Sequence, residues 1–461
     1  MQAFHTRAGV SARFDDPNLV SCAGLIPVMR LAHDAGLGEL ADQVVRLGES
    51  KGANAGAKIG SIVAGMMCGA DSIDDLDMIR HGALPQLFGG IRAPSTLGTF
   101  LRHFSYGHVA QLEAVSAAVL TRLRRRCPDL LPGIDQLAFV DIDAKITEVY
   151  GHSKEGARFG YTRKRGLNFL IVTLTTPLGR PVLLATRLRG GNAESRRGAA
   201  SLLTRALRLA RACGATGTLI VRGDSAFFTG SVVAAIRAAG ARFSVTTRHS
   251  RAIATAIAGI AADAWTPITY PQAIYDPDTG SWVSAAELAE TSYTAFTNVT
   301  QNRGRAITAR LLVRRVRIGT DHDAQGELFP IYRYHAVFTD SGFNLATAEA
   351  QHRDHAIIEQ VLAELNNSAL AHFPSGRFAA NAAWLSLAAL THNLLRAAGT
   401  LASTTHATAR TATLRRQLIS VAARISRSAR RIRLHLPVDW PWQHAWLGLF
   451  TSTHTPPQPA T

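Results

Sequence analysis

Three acids stand where a carboxylate contributes little to a core. Asp141 and Asp143 lie two apart in the run Phe139-Val140-Asp141-Ile142-Asp143, so on a β-strand they point to the same face. Asp224 closes the run Leu219-Ile220-Val221-Arg222-Gly223, at the expected end of another strand. A further acid is expected from the helical pattern over residues 346–365, where Glu349, Asp354, Glu359 and Glu364 are the candidates. Glu359 has Ile357, Ile358, Val361 and Leu362 around it and is therefore placed nearer the buried side than Glu349. His355 lies one turn earlier on the same face, where an imidazole can donate to a phosphate or orient the carboxylate. Carboxylates gathered together repel one another unless a divalent cation sits among them. Mg²⁺ prefers oxygen ligands and keeps several waters, which leaves positions for phosphate oxygens. The chemistry that suits such a cluster is in-line displacement at a phosphodiester, one ion activating the nucleophile and another stabilising the leaving oxygen.

The elements that must hold these acids follow from the apolar period. Residues 1–132 read as helical, with helical spacing around 25–47, 59–67 and 109–123. Between them, Pro94 and Ser95 make a helix start that would carry Thr96, Thr99 and Arg102 outward, as in the second helix of a helix-turn-helix. The period changes at 137. Strands are expected at 137–143, with an extension at 146–150, and at 168–175, 181–189, 218–222 and 241–246; helices are expected at 194–212 and 231–239. This order predicts an α/β fold with a mixed five-strand sheet and helices on its faces. Residues 250–342 read as a β-rich insertion with a short helix at 252–261 and strands at 291–296, 307–318 and 331–339. Helices resume over 343–400. The region 401–461 is basic and ends in a Thr- and Pro-rich tail expected to be disordered. The expected units are thus 1–132, a catalytic core over 133–249 and 343–400, the insertion 250–342, and the basic C-terminal region 401–461.

Charge narrows the partner. The chain has 461 residues and a formal charge of +17, with arginine supplying nearly all of the excess. Nucleic acid, an anionic membrane surface or an acidic protein would each answer such a charge. The apolar stretch 379–398 is interrupted by Asn381, His392 and Asn393, which argues against a membrane span, and the first twenty residues have no apolar signal core. Nucleic acid is therefore the expected partner. Candidate contacts are Arg163, Lys164 and Arg165 in a Gly-rich loop, Arg314 and Arg315 on an insertion strand, Arg353 beside the acids, and the C-terminal arginines from Arg410 to Arg433; Trp282 is a candidate for stacking on a base. Cys22, Cys68, Cys127 and Cys213 form no CxxC pair, so neither a zinc ribbon nor a disulfide framework is expected. No Gly-x-Ser-x-Gly elbow is present, which disfavours a serine hydrolase.

Asp141-Ile142-Asp143-Ala144, Arg222-Gly223-Asp224-Ser225-Ala226-Phe227 and His352-Arg353-Asp354-His355-Ala356-Ile357-Ile358-Glu359-Gln360 together resemble the three motifs of insertion-sequence DDE transposases, in the branch with a Tyr-Arg-Glu-Lys signature. Lys154-Glu155-Gly156 and Gly190-Gly191-Asn192 also resemble features of that family. The resemblance implies an RNase-H-like sheet in which the first and fourth strands are neighbours. It implies Asp143, Asp224 and Glu359 as catalytic acids holding two Mg²⁺ or Mn²⁺ ions, with Asp141 the alternative first acid. The gap before Glu359 is longer than the gap before Asp224, as in the branch with a β-rich insertion. The reaction implied is strand cleavage of double-stranded DNA at transposon inverted-repeat ends and joining to target DNA, by a homodimer in a prokaryotic cytoplasm, associated with the nucleoid. The chain departs from the pattern at Lys145, where Thr or Ser is usual, and at His352, His355 and Asn366, which stand at the signature's Tyr, Arg and Lys positions. Those departures leave open a decayed transposase that only binds DNA, or a nuclease on the same core that cuts without joining.

Overall fold

A computed structural model describes residues 11–48, 52–151, 153–160, 163–276, 281–297, 306–322, 328–429 and 431–455. Its N-terminal part is helical: α1 (Leu25–Asp34), α2 (Leu37–Val44), α3 (Ala55–Cys68), α4 (Pro94–Arg102) and α5 (Tyr106–Arg126). Ser105 and His108 cap α5 reciprocally, each side chain meeting the other's backbone N–H.

The sheet then builds outward from β1 (Leu137–Glu148). β2 (Arg165–Thr175) pairs with it antiparallel, and β3 (Val182–Gly190) pairs antiparallel with β2. After α6 (Ala199–Ala212), β4 (Thr218–Gly223) returns parallel to the other side of β1; after α7 (Gly230–Ala238), β5 (Arg242–Thr246) lies parallel to β4. The near-continuous burial of β2, β3 and β4 is that of strands covered on both faces. β1 runs on unbroken through the residues expected to form a separate extension. α6 begins later than its apolar pattern suggested, at Ala199 rather than near 194. The intervening turn is gathered by Arg189, whose guanidinium donates to the carbonyls of Glu194 and Ser195 at 2.9 Å and of Arg197 at 3.1 Å.

The insertion does not form a sheet of its own. After α8 (Arg251–Ala258) come β6 (Thr266–Asp276), β7 (Ser281–Ala295), β8 (Ile307–His322) and β9 (Leu328–Thr339). β9 pairs antiparallel with β5 through Val337, Phe338 and Thr339, so one sheet runs β3-β2-β1-β4-β5-β9-β8-β7-β6. Phe338 seals the join, its ring 5.2 Å from Phe243 and 5.8 Å from Phe228. β6 was missed from sequence, and β7 is longer than expected, because Pro267, Pro271 and Ser/Thr-rich alternation mask an antiparallel edge.

The helix expected over 346–365 is broken. α9 (Leu345–Arg353) passes through a 3₁₀ turn at Asp354–Ala356 into α10 (Ile357–Asn366). α11 (Phe378–Ala402) is buried along almost all its length, against β3, α5, α3 and the C-terminal helix. The polar residues that argued against a membrane span are each paired: Asn381 with the backbone of Ser375, His392 with the Pro181 carbonyl, and Asn393 with both the N–H (2.7 Å) and carbonyl (2.8 Å) of Leu183. Asn393 thus serves β3 as a strand neighbour would. Among the described residues no helix is long and apolar enough to cross a membrane.

The C-terminal region is more ordered than expected. β10 (Ala423–Ser428) and β11 (Arg431–His435) form a hairpin that Leu19 and Val20 extend, and α12 (Gln443–His454) follows it. One hydrophobic core runs from Val20 through the sheet and α11 to Leu449. Residues 456–461, the end of the expected tail, lie outside the described residues.

Candidate active site

The parallel pairing of β1 with β4 sets Asp141 opposite Arg222 and Ile142 opposite Gly223. The next residues along the two strands are Asp143 and Asp224. Gly223 packs tightly here: a Cβ on it would meet the Ile142 methyl and the Phe227 ring at 3.3 Å. Asp224 leaves the strand in an extended conformation and accepts from the Ala226 N–H at 3.0 Å, capping the short turn Ser225–Phe227. Asp143 accepts from the Ala144 N–H at 2.6 Å. α10 packs on β1 and brings Glu359 in its first turn. Asp224 and Glu359 are exposed, and Asp143 is half-buried.

Asp224 and Glu359 both act on Asp143. Asp143 is pushed up to about 6, first by burial and then by the negative charges of Asp224 and Glu359; the Ala144 N–H and His355 pull the other way. Lys145 projects from β1 on the same face as Asp143, and burial holds its ammonium below the usual range while Asp143 draws it upward.

Asp141 has a different surrounding. It is fully buried, and Arg222, 1% exposed, grips both of its oxygens, Nε to Oδ1 at 2.7 Å and Nη2 to Oδ2 at 2.8 Å. His355 Nδ1 stands 2.9 Å from Oδ1. Burial pushes the Asp141 carboxyl up, but Arg222 and His355 outweigh it and hold the group below the usual carboxylate range. Both oxygens of the alternative first acid are therefore engaged by protein groups. Arg222 also donates to the Gln351 carbonyl at 2.5 Å and lies over the Phe139 ring at 4.1 Å. It ties β4 to β1 and to α9. Its place in an apolar strand, just before Gly-Asp, was the available signal for a buried ion pair, and the sequence reading passed over it.

The other candidates for the third acid are occupied elsewhere. Glu349 is buried, 4% exposed, and takes Arg353 on both oxygens at 2.9 Å, with Arg314 at 3.5 Å. The expected order of burial is thus reversed: Glu349 is inside and Glu359 outside, because two arginines neutralise Glu349. Glu364 accepts from the Thr411 N–H at 3.2 Å and lies 4.0 Å from His392. Asp354 is exposed in the 3₁₀ turn. His352 is buried between Ser244 (3.0 Å) and Thr246 (2.9 Å) on β5, and burial lowers it to about 3, so it is a neutral hydrogen-bonding post for α9. Asn366, at the end of α10, keeps its side-chain oxygen buried without a partner.

The residues expected to contact DNA are scattered. Arg353 and Arg314 share Glu349, and Arg315 is clamped by Glu287 (2.8 and 3.1 Å) between Trp265 and Tyr332. His355 turns to Asp141. Arg163 and Lys164 are exposed before β2; Lys164 meets Glu148 at 3.2 Å, and Arg165 donates to the Gly151 carbonyl at 2.6 Å. Thr96 and Arg102 are exposed on α4, with Arg102 donating to the half-buried Thr99 at 3.1 Å. Trp282 lies on β7, but its side chain falls outside the described residues.

The two Gly-containing motifs have structural work. Glu155 takes the Phe378 N–H (2.8 Å) and Arg377 (2.9 Å), so Lys154-Glu155-Gly156 anchors the start of α11. Gly191 lies where a Cβ would meet the Gly166 carbonyl oxygen at 2.1 Å, so only glycine lets these backbones meet.

The donor set at the strand ends is made of carboxylates, the ligand chemistry of a hard divalent cation rather than of zinc or copper. Among the described residues no three His, Cys, Asp or Glu side chains stand close enough together to grip one ion as placed. Asp143 and Asp224 each spend one oxygen on a local N–H and keep the other.

No curated protein matches the chain. The family of transposase DDE domains, group 1, matches it from residue 2 to residue 454. That match takes in the helical part, the acid-bearing sheet, the insertion and the C-terminal hairpin alike, and so the chain belongs to the group 1 transposase DDE domain family.

Proposed function

We propose that this protein cuts DNA at transposon ends and joins those ends to target DNA, with Asp143, Asp224 and Glu359 as its catalytic acids. The observation that carries the reading is positional: the register of β1 with β4 makes Asp143 and Asp224 the next residues along neighbouring parallel strands, and α10, packed on β1, carries Glu359 in its first turn. The strand order β3-β2-β1-β4-β5, with the first and fourth strands adjacent, supports an RNase-H-like core. Asp143, Asp224 and Glu359 would hold two Mg²⁺ or Mn²⁺ ions, which when bound supply a lowered pKa for the attacking hydroxyl and charge relief for the leaving oxygen. Asp141 takes no part as a ligand; with Arg222 and His355 it fixes the strand and the turn that carry the acids. Exposed arginines and the +17 charge supply grip on the duplex, and residues 1–132 supply end recognition, Thr96, Thr99 and Arg102 among them. We place the protein at the nucleoid as a homodimer that pairs two DNA ends.

A second reading has one observation in its favour. Lys145 faces the acids and interacts with Asp143, so a fixed ammonium partly replaces the charge that metal ions would bring. A decayed transposase acting as a DNA-binding protein would look this way. Cleavage of supercoiled DNA carrying the element's ends, with Mg²⁺, separates the two. Cutting by the unaltered chain that EDTA stops and Asp224→Ala abolishes supports the acid site. DNA binding by both proteins with no cutting by either favours the decayed form. Equal cutting by both removes Asp224 from the mechanism.

A further inference from the structure

The hairpin β10–β11 carries charge that nothing in the acid site uses. From Ser403 onward Asp439 is the lone acid of the sequence, while Arg424, Arg427, Arg430, Arg431 and Arg433 crowd the hairpin. Its register sorts the side chains. Arg424 faces His435, Ser426 faces Arg433 and Ser428 faces Arg431 across the strands, and these pairs share one side. Ile425 and Leu434 pair on the other side and pack into the main core, with Ile425 only 2% exposed. The hairpin is therefore seated on the protein by an apolar root and presents an outward row of cations and hydroxyls.

The row stays charged because little opposes it. Arg424 meets Asp16 at 3.1 Å. Arg431 and Arg433 are exposed and form no ion pair among the described residues, whereas Arg427, across from Ile432, lies on the other side. Leu19 and Val20 pair with Arg424 and Ala423, and among the described residues no third strand pairs with the two-stranded ribbon from Ser426 outward. A two-stranded ribbon is narrow enough to approach duplex DNA along a groove, and arginines on it meet phosphate oxygens with charge-assisted hydrogen bonds. An exposed like-charge row costs self-repulsion when it stands alone and loses that cost on a polyanion.

We infer that this hairpin is a DNA-contacting element separate from the acid-bearing sheet, holding the phosphate backbone of duplex DNA through Arg431 and Arg433. The inference rests on the DNA reading above and adds where the duplex is gripped. Its test uses the full chain, a Ser variant (Arg431→Ser, Arg433→Ser) and the corresponding Lys variant. Binding to a labelled duplex is titrated between roughly 50 and 200 mM salt, where each phosphate contact contributes about 0.9 to the slope of log K against log salt. The Ser variant is expected to lose ~2 from that slope and at least roughly ten-fold in affinity at the low-salt end. The Lys variant, which keeps the charge, is expected to restore both, and the circular dichroism spectrum is expected to be the same in all three. A Ser variant with unchanged slope and affinity overturns the inference and leaves the DNA reading standing. So does a Ser variant that loses only its binding to anionic phosphatidylserine vesicles. An unaltered chain that binds no duplex at all overturns both together.

Discussion

Replacing Arg222 with methionine isolates what the buried ion pair does. The change keeps the length and apolar stem of the side chain and removes the guanidinium. Asp141, with 0% exposure, would keep His355 but lose both hydrogen bonds from Arg222, and the Gln351 carbonyl would lose its donor. Removing one partner of a buried ion pair typically costs about 3–5 kcal/mol, because the remaining charge stays out of water. The pH dependence gives the signature. In the unaltered chain the Asp141 carboxyl lies below its ordinary value, so it contributes stability that is present above the unfolded pKa and is lost as pH falls through the folded one. Without Arg222, burial is opposed by His355 alone, and the Asp141 carboxyl rises. A raised carboxyl costs stability above its folded pKa and costs nothing below its unfolded one. The deficit of Arg222→Met relative to the unaltered chain is therefore largest near neutrality and shrinks on acidification. Urea unfolding at several pH values measures it, and the double variant Asp141→Asn with Arg222→Met should recover most of the loss, because no buried charge remains. A deficit under about 1 kcal/mol at neutral pH, or one independent of pH, would refute this account of the pair.

Two further outcomes follow from the same geometry. Asp143 should titrate near 6 by carbonyl NMR and move down in Asp224→Asn, which removes one neighbouring negative charge; Mg²⁺ affinity should accordingly rise as pH is raised through about 6, and a flat profile would count against the shared site. Asn393→Ala strips the N–H and carbonyl of Leu183 of their partners inside the core, at about 1–3 kcal/mol for each group left unpaired; thermal unfolding should show a clear drop, whereas Asn393→Asp should keep the contact to the N–H and lose the one to the carbonyl.

Local order was readable before the fold was known. The period changes at residue 137 from helical to alternating, and strand, helix and turn signals then come in the order of a mixed sheet covered by helices. The acids Asp143 and Asp224 could be singled out because each follows an apolar strand run, and Glu359 because its helix resumes after the insertion. These are properties of neighbours in sequence, and periodicity reports them directly.

What the tertiary structure decided depends on partners far apart in the chain. Sequence kept Asp141 as the alternative to Asp143, two residues apart on one face; the parallel register of β1 with β4 puts Arg222 against Asp141 and leaves Asp143 beside Asp224. Apolar flanks suggested that Glu359 would be more buried than Glu349, yet Arg314 and Arg353 converge on Glu349 and take it inside. Nothing in the local sequence shows that β9 of the insertion bonds to β5, since backbone N–H and C=O groups pair with whichever edge the fold presents. The arginines of the C-terminal region, diffuse in the sequence, became a one-sided row only when antiparallel register set Arg433 across from Ser426 and Arg431 across from Ser428. A side chain's type and the period around it are written locally; which charge it meets, and whether water reaches it, is settled by the strand and helix that arrive from elsewhere.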